Sequence, residues 1–310
     1  MKTRIFLLLL AAILCGSELW AQSPAVGQSP APQRASGGPP AIPGQNVNGM
    51  RIYLRAGLKT HGPGKHDYPQ FLADWSKTLT EHGAVVDGSF HAPTAAELER
   101  TDVIVIYKGD AGYMTDREKA DLETFIKRGG GLVILHDSLC GPDPEYFASL
   151  VGGAKKHGET NFTLEAEIPY TIVDKENSIM QGLSDFTLQE DEAFYSMTWS
   201  VNPKINVLAK AVIAKTPTAV RTGHAGEIVP QIWTYEHTLP GGTAPARAFV
   251  WMQGHNFANF ADPRIQPMLL RGIAWAAKNP STNWWTTSPP PEAVTVRAID
   301  GHGLYTSSAG

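Results

Sequence analysis

Cysteine is almost missing from this 310-residue chain: Cys15 and Cys140 are the only two. Clusters of basic residues are equally scarce. Apart from the pair Lys155 and Lys156, which reads as a solvated loop, there is no dense Lys/Arg run, and the formal net charge is -4 with a pI near 6.2. Nucleic acid is therefore excluded as an expected partner. The apolar run from Ile5 to Cys15 falls far short of the roughly 20 residues that a membrane-spanning helix needs. No transmembrane segment is expected in the mature protein. What the chain does have is a composition of 42% hydrophobic and 18% charged residues, enough to bury a core.

The N-terminus reads as an address. Lys2 and Arg4 precede the apolar run, and small residues lead to Ala21, the pattern of a secretory signal peptide over residues 1–21. A periplasmic or secreted protein follows. A lipoprotein anchored through Cys15 is disfavoured by the bulky Leu14 before it. Cleavage after Ala21 leaves Cys140 as a lone thiol, so the fold must stand on its core without a disulfide. Residues 22–49 are Pro, Gly, Ala, Ser and Gln with the single charge Arg34, the composition of a disordered linker. A tail over 280–310 is similar, with Pro289, Pro290 and Pro291, but its Trp284 and Trp285 are expected to pack back on the domain.

Between these ends, residues 50–279 alternate between two periodicities. Arg51 to Leu54 begins a strand. Tyr68 to Glu81 forms a helix with Phe71, Leu72, Trp75 and Leu79 on one face. Ala84 to Val86 is a short strand. Thr94 with Glu97, and Thr115 with Glu118, make capping boxes for two further helices. Val103 to Tyr107 and Leu132 to Leu135 are apolar without alternation, as strands covered on both faces should be. Gly129, Gly130 and Gly131 stop the second capped helix. This order implies right-handed crossovers and a parallel sheet with helices on both faces. After Val151, the segments Phe162 to Ile168, Asn206 to Ile213 and Ala248 to Gln253 read as strands without full helices between them. A helix from Asp262 to Ala277, with Pro263 in its first turn, closes the same core.

In open α/β sheets, ligands bind beyond the carboxyl ends of the strands. After the first strand comes a Gly- and His-rich loop containing His61 and His66. Lys108 follows the third strand, His136 and Asp137 follow the fourth, and His255 follows a late one. These residues should share one rim. A polar ring directly after a buried strand, such as His136, needs a partner or a purpose. His157, after Gly152 and Gly153, could reach the same rim or face water. His82, His91, His224, His237 and His302 read as ordinary surface or structural residues.

Several of these stretches together resemble the ThuA-like, trehalose-utilisation family. They are Gly129 to His136, His61 to Tyr68, Leu150 to Gly153 followed by His157, Asp191 to Tyr195, Gly254 with His255, and Arg271 to Ala277. The likeness spans roughly Met50 to Asn279. It implies the class I glutamine amidotransferase-like fold, a flavodoxin-like, doubly wound and mostly parallel sheet in a single domain. It also implies a role in disaccharide or keto-sugar breakdown, with a small carbohydrate as partner, and it brings Glu192 into the candidate site. The amidotransferase relatives carry a nucleophilic Cys at a strand-to-helix elbow. Here His136 occupies that strand end, Cys140 lies four residues on, and Ser138 lacks the flanking glycines of a Gly-x-Ser-x-Gly elbow. Cys- or Ser-dependent hydrolysis is therefore not expected, and Cys140 reads as a small packing residue.

The candidate catalytic residues are His66, His136, Glu192 and His255, with His61, His157, Lys108 and Asp137 as substrate contacts. His136 and Glu192 form the working acid/base pair, suited to isomerisation or elimination on a keto-sugar. His66 and His255 would hold a sugar oxygen or a divalent metal such as zinc, although the His61/His66 spacing matches no zinc motif and the sequence itself shows no cofactor. Trp199, Trp233, Tyr235 and Trp251 could stack on a sugar, or serve as core aromatics. The other reading is a non-catalytic carbohydrate-binding or accessory protein on the same fold.

Overall fold

Burial sets the order of the first half of the chain. The computed structural model describes residues 49–156, 158, 162–202 and 204–279, together with the backbone of 296–300 and 303–307. The expected signal peptide, the linker up to residue 48, His157, Trp284, Trp285 and His302 lie outside the described residues. β1 (Arg51–Ala56) leads to α1 (Tyr68–Glu81), β2 (Val85–Ser89), α2 (Ala95–Leu98), β3 (Val103–Tyr107), α3 (Asp116–Lys127) and β4 (Gly131–Leu135). Every residue of β3 and β4 is buried. Both capping boxes form, at Thr94/Glu97 and Thr115/Glu118. In α3, Asp116 and Glu118 sit in the first turn and Lys127 in the last, each complementing the helix dipole.

The chain then turns through β5 (Cys140–Gly141), α4 (Pro144–Val151) and β6 (Gly153–Lys156). It continues with β7 (Ala166–Ile172), β8 (Phe186–Asp191), β9 (Thr198–Trp199), β10 (Ile205–Val212), α5 (Pro217–Thr222), β11 (Ile228–His237), β12 (Ala246–Trp251) and α6 (Ile265–Ala276). Nine strands make one sheet in the order β2-β1-β3-β4-β12-β11-β10-β7-β8. From β2 to β12 neighbours are parallel, in registers such as Ile52↔Val103, Val103↔Gly131 and Leu135↔Trp251. From β12 to β8 they are antiparallel. The molecule is thus a mixed α/β domain in which the later strands extend the first sheet.

Alternation along the strands splits the core between the two faces. Ile52, Leu54, Val133 and Phe249 pack with α1 (Phe71, Trp75, Leu79) and α6 (Leu269, Ile273). Tyr53, Ile104, Ile134 and Val250 pack with α3 (Leu122, Phe125, Ile126) and α4 (Phe147, Leu150). Each such side chain contributes about 1.5–3 kcal/mol on burial. Gly272 lets α6 lie close to the sheet, because a Cβ there would stand 2.4 Å from the Phe249 ring.

Among the boundaries that differ from the sequence reading, two have an identifiable cause. The strand expected over Phe162 to Ile168 begins only at Ala166, and Phe162 makes a single bridge to Phe194. Glu165, at φ 23°, breaks the extended backbone between them. The last helix starts at Ile265 rather than Asp262. Pro263 forces the residue before it to stay extended, and Asp262 has φ -60° and ψ 129°.

Candidate functional site

The loop after β1 and the loop after β12 are laced together. His66 N–H donates to His255 O at 3.0 Å, Phe257 N–H donates to Gly64 O at 2.8 Å, and Lys65 bridges to Asn256. Asp67 anchors the first loop: it accepts from Gly64 N–H at 2.7 Å and pairs with the Lys59 ammonium. His136 follows β4 directly and opens a 3-10 turn over His136–Leu139. His66 and His136 both sit in the left-handed region, at φ 46° and 51°. Non-glycine residues held there cost on the order of 1–3 kcal/mol each, strain that clusters at functional positions.

These loops bring His66, His136 and His255 together, with one ring nitrogen from each within 4.8 Å of the others. His66 Nε2 lies 2.9 Å from His136 Nε2 and 2.9 Å from His255 Nδ1. The opposite nitrogens face oxygens. His136 Nδ1 is 3.2 Å from Met252 O, His66 Nδ1 is 2.9 Å from Tyr68 Oη and 3.1 Å from Thr60 Oγ1, and His255 Nε2 is 3.3 Å from Glu165 Oε1. A carbonyl only accepts, so His136 carries its proton on Nδ1 and presents a bare Nε2. Burial lowers His136 and His255 to about 4, and burial with the His136 ring beside it lowers His66 to about 2. All three rings are neutral at neutral pH.

Glu192 comes from the far side of the sheet, just past β8. Its carboxyl lies 3.7 Å from His136 Nε2 and 3.5 Å from His255 Nδ1. Asp191, fully buried, ties this segment to the β12 loop. It accepts from the N–H groups of Glu192 (2.8 Å), His255 (3.0 Å) and Gly254 (3.1 Å), and from Asn259 Nδ2 (2.6 Å). Gln253 Nε2 donates to Glu192 O at 3.0 Å and to Gln231 Oε1 at 2.7 Å, completing a buried amide brace. Burial, with the Asp137 and Asp191 carboxylates nearby, pushes Glu192 up to about 8. Burial also pushes Asp191 up to about 6, against its N–H donors.

A cleft of about 520 Å³ opens above the cluster, lined by His66, Glu192 and His255 and by His61, Asp137, Cys140, Lys155, Phe162 and Glu165. Among the expected contacts, His61 is exposed at the mouth, its ring centroid 3.9 Å from that of His66. Asp137 is half-buried in the wall; despite burial, His136, Lys155 and His66 hold it below the ordinary carboxylate range. Lys108 is not in the lining. Its ammonium donates to Gly109 O and Asp110 O at 2.7 and 3.2 Å, and burial, with Arg55 nearby, lowers it to about 8. His136 is fully buried and does not line the cleft either. Trp233, Tyr235 and Trp251 are core residues, and Trp199 packs on Trp233 rather than on the cleft.

Lys155 is the clearest correction. It is 5% exposed, with its ammonium 3.8 Å above the Phe194 ring and 3.8 Å from Asp137 Oδ1, whereas Lys156 is exposed. A four-residue strand is too short for its alternation to be read from sequence. Glu165 also lines the cleft unforeseen, and Asp191 was visible only as the neighbour of Glu192. Cys140 lines the wall and donates to Asp137 Oδ1 at 3.3 Å. Burial and that carboxylate push its thiol well above the ordinary value, which leaves no thiolate for nucleophilic attack.

The family model described as ThuA, trehalose utilisation, matches residues 58–276. None of the curated proteins compared matches the chain. Among solved structures, a ThuA-like protein from Bacteroides uniformis is 18% identical with a TM-score of 0.56, the match covering 80% of this chain and 99% of the other. A ThuA-like protein from Parabacteroides merdae is also 18% identical, at a TM-score of 0.53, covering 83% of this chain and 97% of the other. At this identity the likeness shows the fold alone.

Proposed function

From the premise that this chain belongs to the ThuA, trehalose-utilisation family, we propose that it is an exported enzyme of disaccharide or keto-sugar breakdown. Its active site is the cleft at the carboxyl edge of the sheet. The order β2-β1-β3-β4-β12 supports a flavodoxin-like, doubly wound core of the class I glutamine amidotransferase type. Export is supported by the basic and apolar pattern from Lys2 to Ala21.

The observation that carries the reading is the Glu192 carboxyl, buried at the cleft wall between the rings of His136 and His255. A carboxyl held protonated near neutral pH donates a proton to a departing or carbonyl oxygen and takes one from the adjacent carbon. The sequence reading paired it with His136. That ring is sealed beneath His66 and committed to Met252 O, so Glu192 moves the substrate proton and the imidazoles polarise an oxygen beside it. Isomerisation or elimination on a keto-sugar requires no nucleophile, and the Cys140 thiol offers none.

Oxidised and unmodified disaccharides incubated with the purified protein, with products followed by NMR, test this. Turnover of the oxidised sugar is expected, with kcat lowered about 10²–10⁴-fold in Glu192→Gln. Binding of sugars with no turnover of any would make the protein an accessory binder and overturn the enzymatic reading.

A further inference from the structure

We infer that His66, His136 and His255 bind one divalent first-row transition-metal ion, zinc in the simplest case, through His66 Nε2, His136 Nε2 and His255 Nδ1. The inference deepens the functional reading and rests on it for the ion's chemical role, whereas binding itself is measured without any sugar.

The hydrogen-bond accounting leads there. His66 Nε2 stands 2.9 Å from two other ring nitrogens at once. One proton cannot make two good N–H···N bonds in different directions. His136 has no proton to contribute from Nε2, because its Nδ1 proton faces Met252 O. Either the His66 proton is shared between two acceptors, or nitrogen lone pairs face each other in a buried space. A cation at their centre satisfies all three. Ligand nitrogens about 2.0–2.1 Å from a metal stand roughly 2.9–3.3 Å apart at octahedral to tetrahedral angles, the range of the two contacts to His66.

The surroundings match a metal-binding set. Histidine ligands present their second nitrogen to an oxygen, which fixes tautomer and ring orientation. Here Met252 O, Tyr68 Oη and Glu165 Oε1 occupy those places. Three neutral imidazoles carry no charge to balance a dication; a dication beside the Glu192 carboxyl would displace its proton, and the resulting carboxylate supplies that charge. Imidazoles with one carboxylate favour the zinc group over calcium or magnesium, which prefer oxygen ligands. His66 and His255 line the cleft while His136 closes the set from below. The ion's remaining positions therefore face the cleft, where it would polarise a sugar carbonyl next to Glu192.

The test starts from the full-length protein stripped with chelator. Its metal content is measured by elemental analysis and its binding of Zn²⁺ and Co²⁺ by calorimetry. One ion per chain is expected, with a Co²⁺ absorption spectrum characteristic of nitrogen ligands and a rise in Tm on loading. His255→Ala, at the cleft edge, should lose at least about 100-fold in affinity while circular dichroism stays unchanged, and the exposed His91→Ala should bind as the wild type does. A folded, stripped wild type that takes up no stoichiometric ion overturns the inference, as does undiminished binding by His255→Ala. Loaded protein that turns over no sugar would break the enzymatic reading alone. Turnover unaffected by complete stripping would break the ion's proposed role alone.

Discussion

In the parallel half of the sheet, β1, β4 and β12 each run into a loop that carries a site histidine. In the antiparallel half, β8 reaches the cleft through Glu192, which follows it, and β7 through Glu165, which precedes it. Parallel strands place all their carboxyl ends on one edge, so residues that follow them converge by topology. Antiparallel strands alternate, and a histidine at the end of one can be sent to the opposite edge. His237 shows the consequence. It ends β11, pairs with Ala246 at the start of β12, and is buried against Tyr235 with no hydrogen-bond partner among the described residues for either ring nitrogen. Burial lowers it to about 4, as it does His136 and His255. Desolvation alone therefore does not mark a site; convergence of ring nitrogens does.

Asp191 is the joint between the halves, and breaking it should have the largest effect. Asp191→Ala leaves the buried N–H groups of Glu192, Gly254 and His255 without their acceptor. A loss of about 3–5 kcal/mol is expected in urea unfolding, together with weakened Zn²⁺ uptake. An unchanged midpoint would mean that the halves are held by packing alone.

His237 sharpens the contrast through pH. Its folded pKa lies below the ordinary 6.5, so the unfolded chain binds the proton more readily. Its contribution is present above about 6.5 and is lost as pH falls toward 4. The site histidines add a decline in the same direction, and a His237→Phe variant isolates this one. That variant should lose about 2 kcal/mol less than wild type between those pH values. Parallel curves would show that His237 finds a partner when charged.

The smallest effect belongs to the parallel half away from the rim. Thr115→Ala removes the cap of α3 and should cost about 1 kcal/mol in thermal unfolding. Metal uptake and turnover should be unaltered. A change in either would mean that α3 sets the geometry of the cleft.

The sequence determined whatever depends on neighbours a few residues apart. α1 and β3 run from Tyr68 to Glu81 and from Val103 to Tyr107, as their periodicities require. Both capping boxes close over three residues, and the glycines after α3 end it where β4 begins. Placing His66, His136 and His255 on one rim needed only the rule that parallel strands share an edge. The tertiary structure decided which nitrogens meet, across 70 residues for His66 and His136 and 189 for His66 and His255. It also turned Lys155 inward, tied the Lys108 ammonium to the Gly109 and Asp110 carbonyls outside the cleft lining, and made Asp191 a brace. No local pattern encodes these outcomes, because each is fixed by the packing of segments far apart in the chain, where a buried polar group is stable only beside the partner that the fold delivers.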